Sequence, residues 1–574
     1  MTAPRVDVAV VGSPSTNVEL TLDLLQESAE ERLVGALTAF DAVQNGLEIV
    51  SVGQIVGLEL RNRWHEDAVF RNLLKRTGEI PPITNRQDTR VADLAVGATF
   101  RHAADGYQPD VLGMVPPTGT RVYRVDQPLL ERLLGLYQNE IVYLGRAYAN
   151  DILYPMWFKH FDQGAGGAGE AYHIGLFGRT GSGKSGLAKM LLALYARHPQ
   201  LGILVIDPQG EFSQELTGNR IGQQGIPLDD IMRQQGRAVR VYRISDIQLD
   251  DWDTLEELLA TLDLFDDLGV RHPDNQRRAA EVVTLALQRA HLTLDNLNNG
   301  GAFQAALNAV LQRVGDIYST PGPIQRVQTT VQDILNNRLQ ELLQRRWMPI
   351  TDLFAGGANR RRIFGIIQDL MGPAGQQGPR PVVVIDLSNR GNQARIWTEA
   401  LEQRLLSKLF SALINTSATG LAARRSANVL VVLDEAHRHA PSGRLEDDFK
   451  EQLRARLRRA VRETRKYGVG WLFISQTLGG LDPEVLLQLR ILFFGFGLAM
   501  GTEFDRLRDF AGGDQPSLEL YRSFRDPGSF PRPELREFPF MAVGPLSPLA
   551  FSGKPVFFSA FTDWHEFIER NGLR

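Results

Sequence analysis

The pattern of apolar and polar positions along the chain changes near residue 165. Before that point, residues 46–60 (GLEIVSVGQIVGLEL) and 111–126 (VLGMVPPTGTRVYRVD) contain alternating and β-branched residues with interspersed glycine. This pattern is typical of short strands. Several short strands separated by Gly and Pro turns predict a small β-barrel domain over residues 1–125.

Helical patterns interrupt and follow this strand-rich part. Residues 22–40 (LDLLQESAEERLVGALTAF) can contain a helix, and residues 129–148 predict another one. We therefore expect a linker helix within residues 126–165. The glycine-rich segment 162–171 (DQGAGGAGEA) then forms a flexible approach to the next strand.

After residue 165, short and wholly apolar segments such as ILVIDP and NVLVVLDEA alternate with helical patterns. Continuous Val, Ile and Leu runs indicate strands covered on both faces, as in a parallel sheet flanked by helices. Between residues 250 and 347, apolar residues recur every three or four positions, which predicts about four inserted amphipathic helices. The expected fold class is α/β, with a core over residues 166–540.

Composition and charge exclude several classes of protein. The 574 residues carry 63 basic and 67 acidic side chains, so any DNA-binding charge must be local. Because the chain has no cysteine, disulfides, thiolate metal sites and cysteine catalysis are excluded. The start lacks a secretory signal, and the longest apolar run, Ile491–Met500, is far shorter than the roughly 20 residues that cross a bilayer. We expect a soluble cytoplasmic protein without membrane partners.

The most informative segment is residues 178–185, GRTGSGKS, which matches the phosphate-binding pattern G-x-x-x-x-G-K-S at every position. The strand HIGLF precedes it and the helical GLAKMLLALYARH follows it, as the motif requires; the alternative is a chance glycine-rich turn. Lys184 is expected to contact the β and γ phosphates of ATP, and Ser185 to bind Mg²⁺ through its hydroxyl. The residues predicted to bind the nucleotide here are Gly178, Thr180, Gly181, Ser182, Gly183, Lys184, Ser185 and Gly186.

A second strand end supplies the acidic residues that such a site needs. In NVLVVLDEAHR, Asp434 is the predicted metal-side carboxylate, and Glu435 is placed to polarise the water that attacks the γ phosphate. The alternative is a solvated carboxylate at a helix start. His437 and His439 lack clustered partners at ligand spacing, so we interpret them as structural or close to the phosphates.

Two further strand ends, IDPQGEF and ISQT, are expected at the same edge of the sheet. Asp207 and Glu211 can assist Mg²⁺ or water, and Gln476 can sense the γ phosphate through an amide hydrogen bond. Each of them can instead be an ordinary polar cap of a strand.

Residues 449–467 carry arginines on one narrow helical face, at positions 454, 458, 462 and 465. Arg462 or Arg465 is our candidate for an arginine that reaches the ATP of a neighbouring subunit and stabilises the transferred phosphate. The alternative is a solvated face paired with Glu451 and Glu463.

Taken together, these motifs resemble the HerA family of hexameric ATPases, relatives of the FtsK DNA pumps, over nearly the whole length. The combination of the Asp207 segment with RKYG and SQT is the most specific part. The resemblance implies a RecA-like P-loop core, the N-terminal barrel, a helical bundle at residues 250–347 and a C-terminal arm at residues 541–574. One departure is Tyr172, at a position where family members often carry an arginine; this favours Arg462 and Arg465 for the contact between subunits.

The resemblance also implies the biology. It implies a homohexamer with ATP between subunits and duplex DNA in a central pore, bound without sequence preference and commonly working with a NurA nuclease in DNA end resection. The alternative is a ring-shaped scaffold that activates a nuclease or an NAD-consuming effector in antiphage defence. A membrane-coupled secretion ATPase is disfavoured because no spanning segment is present.

Overall fold

The computed structural model describes ten stretches of the chain, namely residues 5–78, 87–161, 171–219, 225–357, 360–372, 378–388, 399–423, 425–445, 448–550 and 553–573. The glycine-rich segment predicted at residues 162–171 lies almost wholly outside the described residues.

The N-terminal part is a closed barrel of six strands. The strands run in the order β2-β1-β7-β3-β4-β5, and the pairing of β2 with β5 closes the circle, while β6 extends the edge of β5. Asn45 and Gly46 both have positive φ, which suits the tight turn between β3 and β4. The elements are β1 (Asp7–Val11), β2 (Glu19–Leu24), β3 (Leu37–Gln44), β4 (Leu47–Arg61), α1 (Arg63–Glu66), α2 (Ala68–Thr77), β5 (Thr89–Ala103), β6 (Gly106–Asp110) and β7 (Arg121–Arg124).

Two helical predictions in this region are wrong. Residues 22–40 contain only a short 3-10 turn, Gln26–Ser28, between β2 and β3. The helix expected over residues 129–148 is limited to α3 (Gln127–Leu133), and two strands follow it, β8 (Ile141–Ala147) and β9 (Leu153–Trp157). Asp126 caps the start of α3 by accepting a hydrogen bond from the Leu129 N–H at 2.8 Å.

The core begins with four strands and three helices. They are β10 (His173–Phe177), α4 (Lys184–Tyr195), β11 (Gly202–Asp207), α5 (Glu211–Leu216), α6 (Leu228–Gln234), β12 (Val239–Arg243) and β13 (Ile247–Gln248). β10 and β11 are buried along their whole length, which accounts for their continuous apolar sequences.

The helical insertion occurs where the periodicity predicts it. Its helices are α7 (Trp252–Thr261), α8 (Leu264–Asp267), α9 (Pro273–Arg289), α10 (Gly300–Gln312), α11 (Val314–Ile317), α12 (Pro321–Asp333), α13 (Leu339–Leu342) and α14 (Met348–Thr351). π-helical turns at Ile334–Arg338 and Leu343–Trp347 connect the last three of them. Trp347 is fully buried in this bundle, and its indole N–H donates to the Leu297 carbonyl at 2.8 Å.

The rest of the chain completes the core. Its elements are β14 (Arg361–Arg362), α15 (Ile363–Met371), β15 (Val382–Asp386), α16 (Glu399–Ala422), β16 (Val429–Leu433), α17 (Asp448–Thr464), β17 (Val469–Ser475), α18 (Pro483–Leu486), β18 (Ile491–Phe494), α19 (Gly501–Phe510), α20 (Gln515–Arg522), β19 (Pro539–Val543), β20 (Val556–Ala560) and α21 (Trp564–Arg570). β13 and β14 form a small separate pair.

One eleven-stranded sheet organises the core, in the order β12-β15-β11-β16-β17-β10-β18-β19-β20-β8-β9. The strands from β12 to β18 are parallel, and those from β19 to β9 add antiparallel to that edge. The predicted fold class, an α/β P-loop core of RecA type behind an N-terminal β-barrel, is confirmed. Within the predicted C-terminal arm, β20 inserts between β19 and β8 of its own chain.

Two histidines, His160 and His173, are buried in the core. His160 is 3 % exposed and lies within hydrogen-bonding distance of the Tyr195 hydroxyl (3.2 Å) and the Pro545 carbonyl (3.1 Å). Burial disfavours the charged ring and lowers the pKa of His160 to about 4. His173, the first residue of β10, is buried in the same way, with its pKa also lowered to about 4.

The stability that His160 contributes should therefore depend on pH. Because its pKa is lowered in the folded state, the contribution is complete above the unfolded value of about 6.5 and is lost as the pH falls toward 4. The difference in unfolding free energy between wild type and His160→Gln should shrink by about 2 kcal/mol from pH 7 to pH 5 in urea titrations. A difference for His160→Gln that stays constant from pH 7 to pH 5 would contradict the prediction.

Candidate functional site

The loop between β10 and α4 has the backbone that a phosphate cradle needs. Gly178, Gly181 and Gly183 have φ of 150°, 82° and 88°, values that L side chains rarely adopt. Gly183 immediately precedes α4, so the positive end of that helix faces the loop. The Ser182 hydroxyl is buried without a hydrogen-bond partner among the described residues, and it can donate to a phosphate oxygen.

Lys184 lies within this loop. Its side chain is largely buried, and its ammonium donates to the Arg179 carbonyl of the same loop at 2.9 Å. Burial lowers the pKa of Lys184, while the nearby carboxylates of Glu435, Asp434 and Glu211 act in the opposite direction. The ammonium is therefore held between the loop backbone and a group of carboxylates.

Strand order explains why distant segments meet at this loop. β17 lies beside β10, with Phe177 level with Ser475, so the residue after each strand, Gly178 and Gln476, is also adjacent. β16 lies on the other side of β17, and β11 lies beyond β16. The carboxyl ends of four neighbouring parallel strands thus deliver the predicted site residues to one edge of the sheet.

Glu435 has the most constrained position in the site. Its backbone is left-handed, with φ 48° and ψ 43°, a conformation that costs a non-glycine residue on the order of 1–3 kcal/mol. Its Oε1 accepts hydrogen bonds from the amides of Gln476 (2.6 Å) and Gln209 (2.9 Å). Gln476 in turn accepts a hydrogen bond from the Thr180 hydroxyl at 3.0 Å. A chain of hydrogen bonds therefore connects the phosphate loop to Glu435.

The second oxygen of Glu435 is buried and makes no hydrogen bond within the described part of the chain, although His437 Nδ1 lies 3.5 Å away. Ser475 is the other neighbour of that ring, with its hydroxyl 3.3 Å from Nδ1. A buried carboxylate oxygen without a donor is costly unless a ligand or water completes it. This oxygen marks where a water molecule can be bound and activated.

Asp434 lies beside Glu435 and is 7 % exposed. Burial raises its pKa to about 7, and the negative charges of Glu435, Asp207 and Glu211 act in the same direction. The Glu435 N–H, which donates to Oδ1 of Asp434, acts in the opposite direction. A cation relieves this crowding of carboxylates, and the carboxylate of Asp434 and the hydroxyl of Ser185 are oxygen donors of the kind that Mg²⁺ prefers. Among the described residues no three His, Asp or Glu side chains form a cage, so Mg²⁺ here requires phosphate and water oxygens as well.

Asp207 is the last residue of β11, at the predicted edge of the sheet, and it bonds to the loop that follows. It is fully buried, and its two oxygens accept the N–H groups of Gly210 and Ser213, each at 2.8 Å. Its carboxylate therefore shapes the loop after β11, and its assistance to Mg²⁺ or water stays a prediction. Glu211, the first residue of α5, is half-exposed, and its carboxylate lies 3.6 Å from the Lys189 ammonium.

Gln209 is the residue that the sequence analysis missed. It stands in the loop after β11 and donates to the same Glu435 oxygen as Gln476 does. The signal was present in the sequence, because an amide follows β11 at a strand end just as Gln476 follows β17. Its partner only becomes evident once β11 and β16 are known to be neighbours.

The four arginines predicted to share one helical face divide into two pairs; Arg454, Arg458 and Arg462 lie in α17, and Arg465 lies in the 3-10 turn that follows it. Arg454 and Arg458 are bound locally, the first to the Pro441 carbonyl at 2.9 Å and the second to the Asp482 carboxylate at 2.5 and 3.0 Å. Arg462 and Arg465 are exposed.

The exposed pair lies at the amino end of the parallel strands. The Val461 carbonyl contacts the ring of His173, which begins β10, whereas the phosphate loop follows the last residue of that strand. Arg462 and Arg465 are thus at the opposite edge of the sheet from the phosphate loop of their own chain. A contact with ATP is open to them only in a neighbouring subunit, which stays a prediction.

Part of this chain matches a known family of proteins. The model of the family described as "Helicase HerA, central domain" matches residues 171–413. No curated protein matches the chain. Asp434, Glu435 and Gln476 lie beyond the matched residues, while the phosphate loop lies within them.

Three solved structures with some similarity to this chain illustrate how low the sequence identity is. VirB4 of Thermoanaerobacter pseudethanolicus is 14 % identical, with 74 % of this chain and 97 % of that chain covered and a TM-score of 0.37. The bacterial conjugative coupling protein TrwBdeltaN70 is 12 % identical, with 68 % and 85 % covered and a TM-score of 0.31. The genome packaging NTPase B204 from Sulfolobus turreted icosahedral virus 2, in complex with ATP-gammaS, is 10 % identical, with 68 % and 98 % covered and a TM-score of 0.29.

No helix in the described ranges combines the length and the apolar character needed to cross a bilayer. The phosphate loop, with a strand before it and a helix after it, lies inside residues 171–413, the part of the chain that the family model matches. The similarity to the HerA helicase central domain covers residues 171–413, which is less than half of the 574-residue chain.

Proposed function

We propose that this chain binds ATP with Mg²⁺ at the loop of residues 178–186 and hydrolyses it. The observation that carries the proposal is the position of Glu435. Gln209 and Gln476 hold one of its oxygens, and the other is buried and has no hydrogen-bond donor among the residues that the structure describes. A protein that only binds a nucleotide does not need a carboxylate constrained in a left-handed backbone at this place.

The proposed chemistry uses residues of this chain. Glu435 accepts a proton from a water molecule whose oxygen attacks the γ phosphorus, while the bond to the β-phosphate oxygen breaks and ADP leaves. Lys184 and the N–H groups of the loop neutralise the charge on the phosphates. When bound, Mg²⁺ supplies further charge neutralisation, and Ser185 and Asp434 are the residues that would hold it.

Gln476 is proposed to couple phosphate occupancy to Glu435. In this structure its amide oxygen accepts from Thr180 of the phosphate loop, and its amide nitrogen donates to Glu435. A γ phosphate that takes over either bond changes the hydrogen bonding of the catalytic carboxylate. This supports the predicted sensor role of Gln476.

The further proposal is that hydrolysis moves DNA. A homohexamer is proposed because Arg462 and Arg465 can serve only a neighbour's site, and because the family match is to a helicase domain. DNA would be contacted through its phosphates and without sequence preference. A partner nuclease of the NurA type, or another effector, is proposed on the family resemblance alone, and copurification from the native cell tests it.

Duplex DNA should therefore stimulate ATP hydrolysis by the assembled protein. We expect a several-fold rise in phosphate release when linear duplex is added, independent of its sequence and weakened by salt, because phosphate contacts release counterions. Random-sequence duplexes of equal length and a single-stranded control should be compared. An oligomer that hydrolyses ATP at one rate without DNA, with duplex and with single strands would overturn the translocase proposal and leave the ATPase proposal standing.

A further inference from the structure

A cavity of about 550 Å³ opens beside the start of α4. One wall is the phosphate-loop end of that helix, and the other is formed by the C-terminal part of the chain around β19, β20 and α21. The volume lies within the range of about 300–1,000 Å³ that is typical of small-molecule sites. Its lining includes Gly183, Gly186, Phe538, Phe561 and Trp564.

The C-terminal wall is in close contact with the phosphate loop. A Cβ atom at Gly183 would lie only 2.7 Å from Cδ1 of Phe538, and one at Gly186 would lie 3.4 Å from Cη2 of Trp564. Phe561 is buried behind them, whereas Trp564 and Phe538 are partly exposed. The cavity therefore offers two aromatic surfaces directly beside the loop that is proposed to hold the phosphates.

The direction of the triphosphate follows from the other side of the loop. Glu435 and Gln476 meet Thr180, which places the γ-phosphate end there. Lys184 serves the β and γ phosphates, so the residues after it at the start of α4 are nearest to the α phosphate. The nucleoside must leave the loop at that end, and Gly186 there faces Trp564.

The rim of the cavity is polar. Arg536, Asp563 and His565 are exposed and line it, while the interior is apolar and aromatic. An apolar interior with a few polar groups at its mouth suits a flat heteroaromatic base attached to a hydroxyl-rich sugar. An aliphatic ligand would not need the two aromatic surfaces beside a phosphate loop.

We propose that this cavity binds the base and ribose of the nucleoside triphosphate, with Trp564 stacking on the base. The inference rests on the proposed ATPase function and deepens it. It assigns to the C-terminal segment, β20 and α21, a part in nucleotide binding within its own chain. The phosphate loop and this segment then act as the two halves of one binding site.

The test compares a nucleotide with its phosphates alone. Affinities of the full-length protein for Mg·ATP and for Mg·tripolyphosphate, which lacks base and ribose, are measured by calorimetry for wild type and Trp564→Ala. Base stacking on an aromatic ring contributes enough that its loss should weaken ATP binding by about 5- to 150-fold. Tripolyphosphate affinity should stay within about two-fold, because the loop itself is unchanged.

Two further variants keep the test informative. Trp64→Ala, a partly exposed tryptophan of α1 in the barrel region, should leave both affinities unchanged. Trp564→Phe should recover most of the ATP affinity, and it should remove the part of the ATP-induced quenching of tryptophan emission that wild type shows and tripolyphosphate does not cause. This fluorescence measurement serves if Trp564→Ala does not fold.

The outcomes separate the inference from the function beneath it. Equal ATP affinity in folded Trp564→Ala and wild type, or a parallel loss of ATP and tripolyphosphate affinity, would overturn the base site while wild type still binds ATP. Quenching that persists unchanged in Trp564→Phe would overturn it as well. Wild type that binds neither ATP nor tripolyphosphate would instead refute the proposed function.

Discussion

Replacing Lys184 with alanine should abolish ATP hydrolysis, lowering phosphate release by at least about 100-fold. The Lys184 ammonium donates to the backbone of the phosphate loop, and it lies close to the carboxylates of Asp434 and Glu435. Without it, the negative charge of the triphosphate faces those carboxylates with less compensation, so ATP affinity should fall too. Phosphate release and ATP calorimetry on the same preparation measure both effects.

Lys189→Ala is a matched control for this change. Lys189 lies on the same helix, is buried to the same 8 % exposure, and donates to Glu215 at 2.8 Å, away from the phosphate loop. Its removal should lower thermal stability while the folded protein keeps its hydrolysis rate. Normal turnover in Lys184→Ala, or equal losses of activity in the two folded variants, would refute the assignment of Lys184.

The sheet of the core could be predicted from the sequence because its strands are covered on both faces. VLVVL of β16 is wholly buried, and such a run has no polar position to interrupt it. The helical insertion was equally accessible, because amphipathic helices of 10 to 17 residues such as α7 and α9 repeat their apolar positions over several turns. Both signals are local, and each strand or helix carries its own.

β8 could not be predicted in this way. Residues 141–147 are a strand that pairs on one side with β9, which follows it directly, and on the other side with β20, about 400 residues later. The pairing is close, since a Cβ atom on Gly145 would lie 2.0 Å from the Ser559 carbonyl oxygen. The sequence of residues 129–148 contains no signal for the pairing with β20, so its local pattern favoured a helix.

The site shows the same division between local and non-local signals. Lys184, Glu435 and Gln476 each follow a recognisable strand, and parallel strands bring such residues to one edge. Which oxygen pairs with which donor is decided by loop backbones. The Asp207 carboxylate accepts the N–H groups of Gly210 and Ser213, whereas Gln209, two residues later, donates to Glu435.

Replacing Glu435 with glutamine should block turnover while retaining ATP binding. A glutamine has the same shape, and its amide oxygen can still accept from Gln209 and Gln476, so the hydrogen-bond chain to the phosphate loop is kept. Its amide nitrogen takes the place of the carboxylate oxygen that lacks a donor, and an amide cannot accept a proton from water. Loss of a general base costs roughly 100- to 10,000-fold in rate. Single-turnover hydrolysis and ATP calorimetry separate the rate from the affinity.

The same substitution at Glu341 gives the control. Glu341 is exposed in the helical insertion and pairs with Arg338, so Glu341→Gln should match wild type in both measurements. A Glu435→Gln protein that turns over normally would show that another group activates the water. Loss of ATP binding in Glu435→Gln would mean instead that the carboxylate charge positions the phosphate loop. Because the hydrogen bonds that connect Glu435 to that loop within the described residues run through Gln476 and Thr180, retained binding with blocked turnover is the result that we expect.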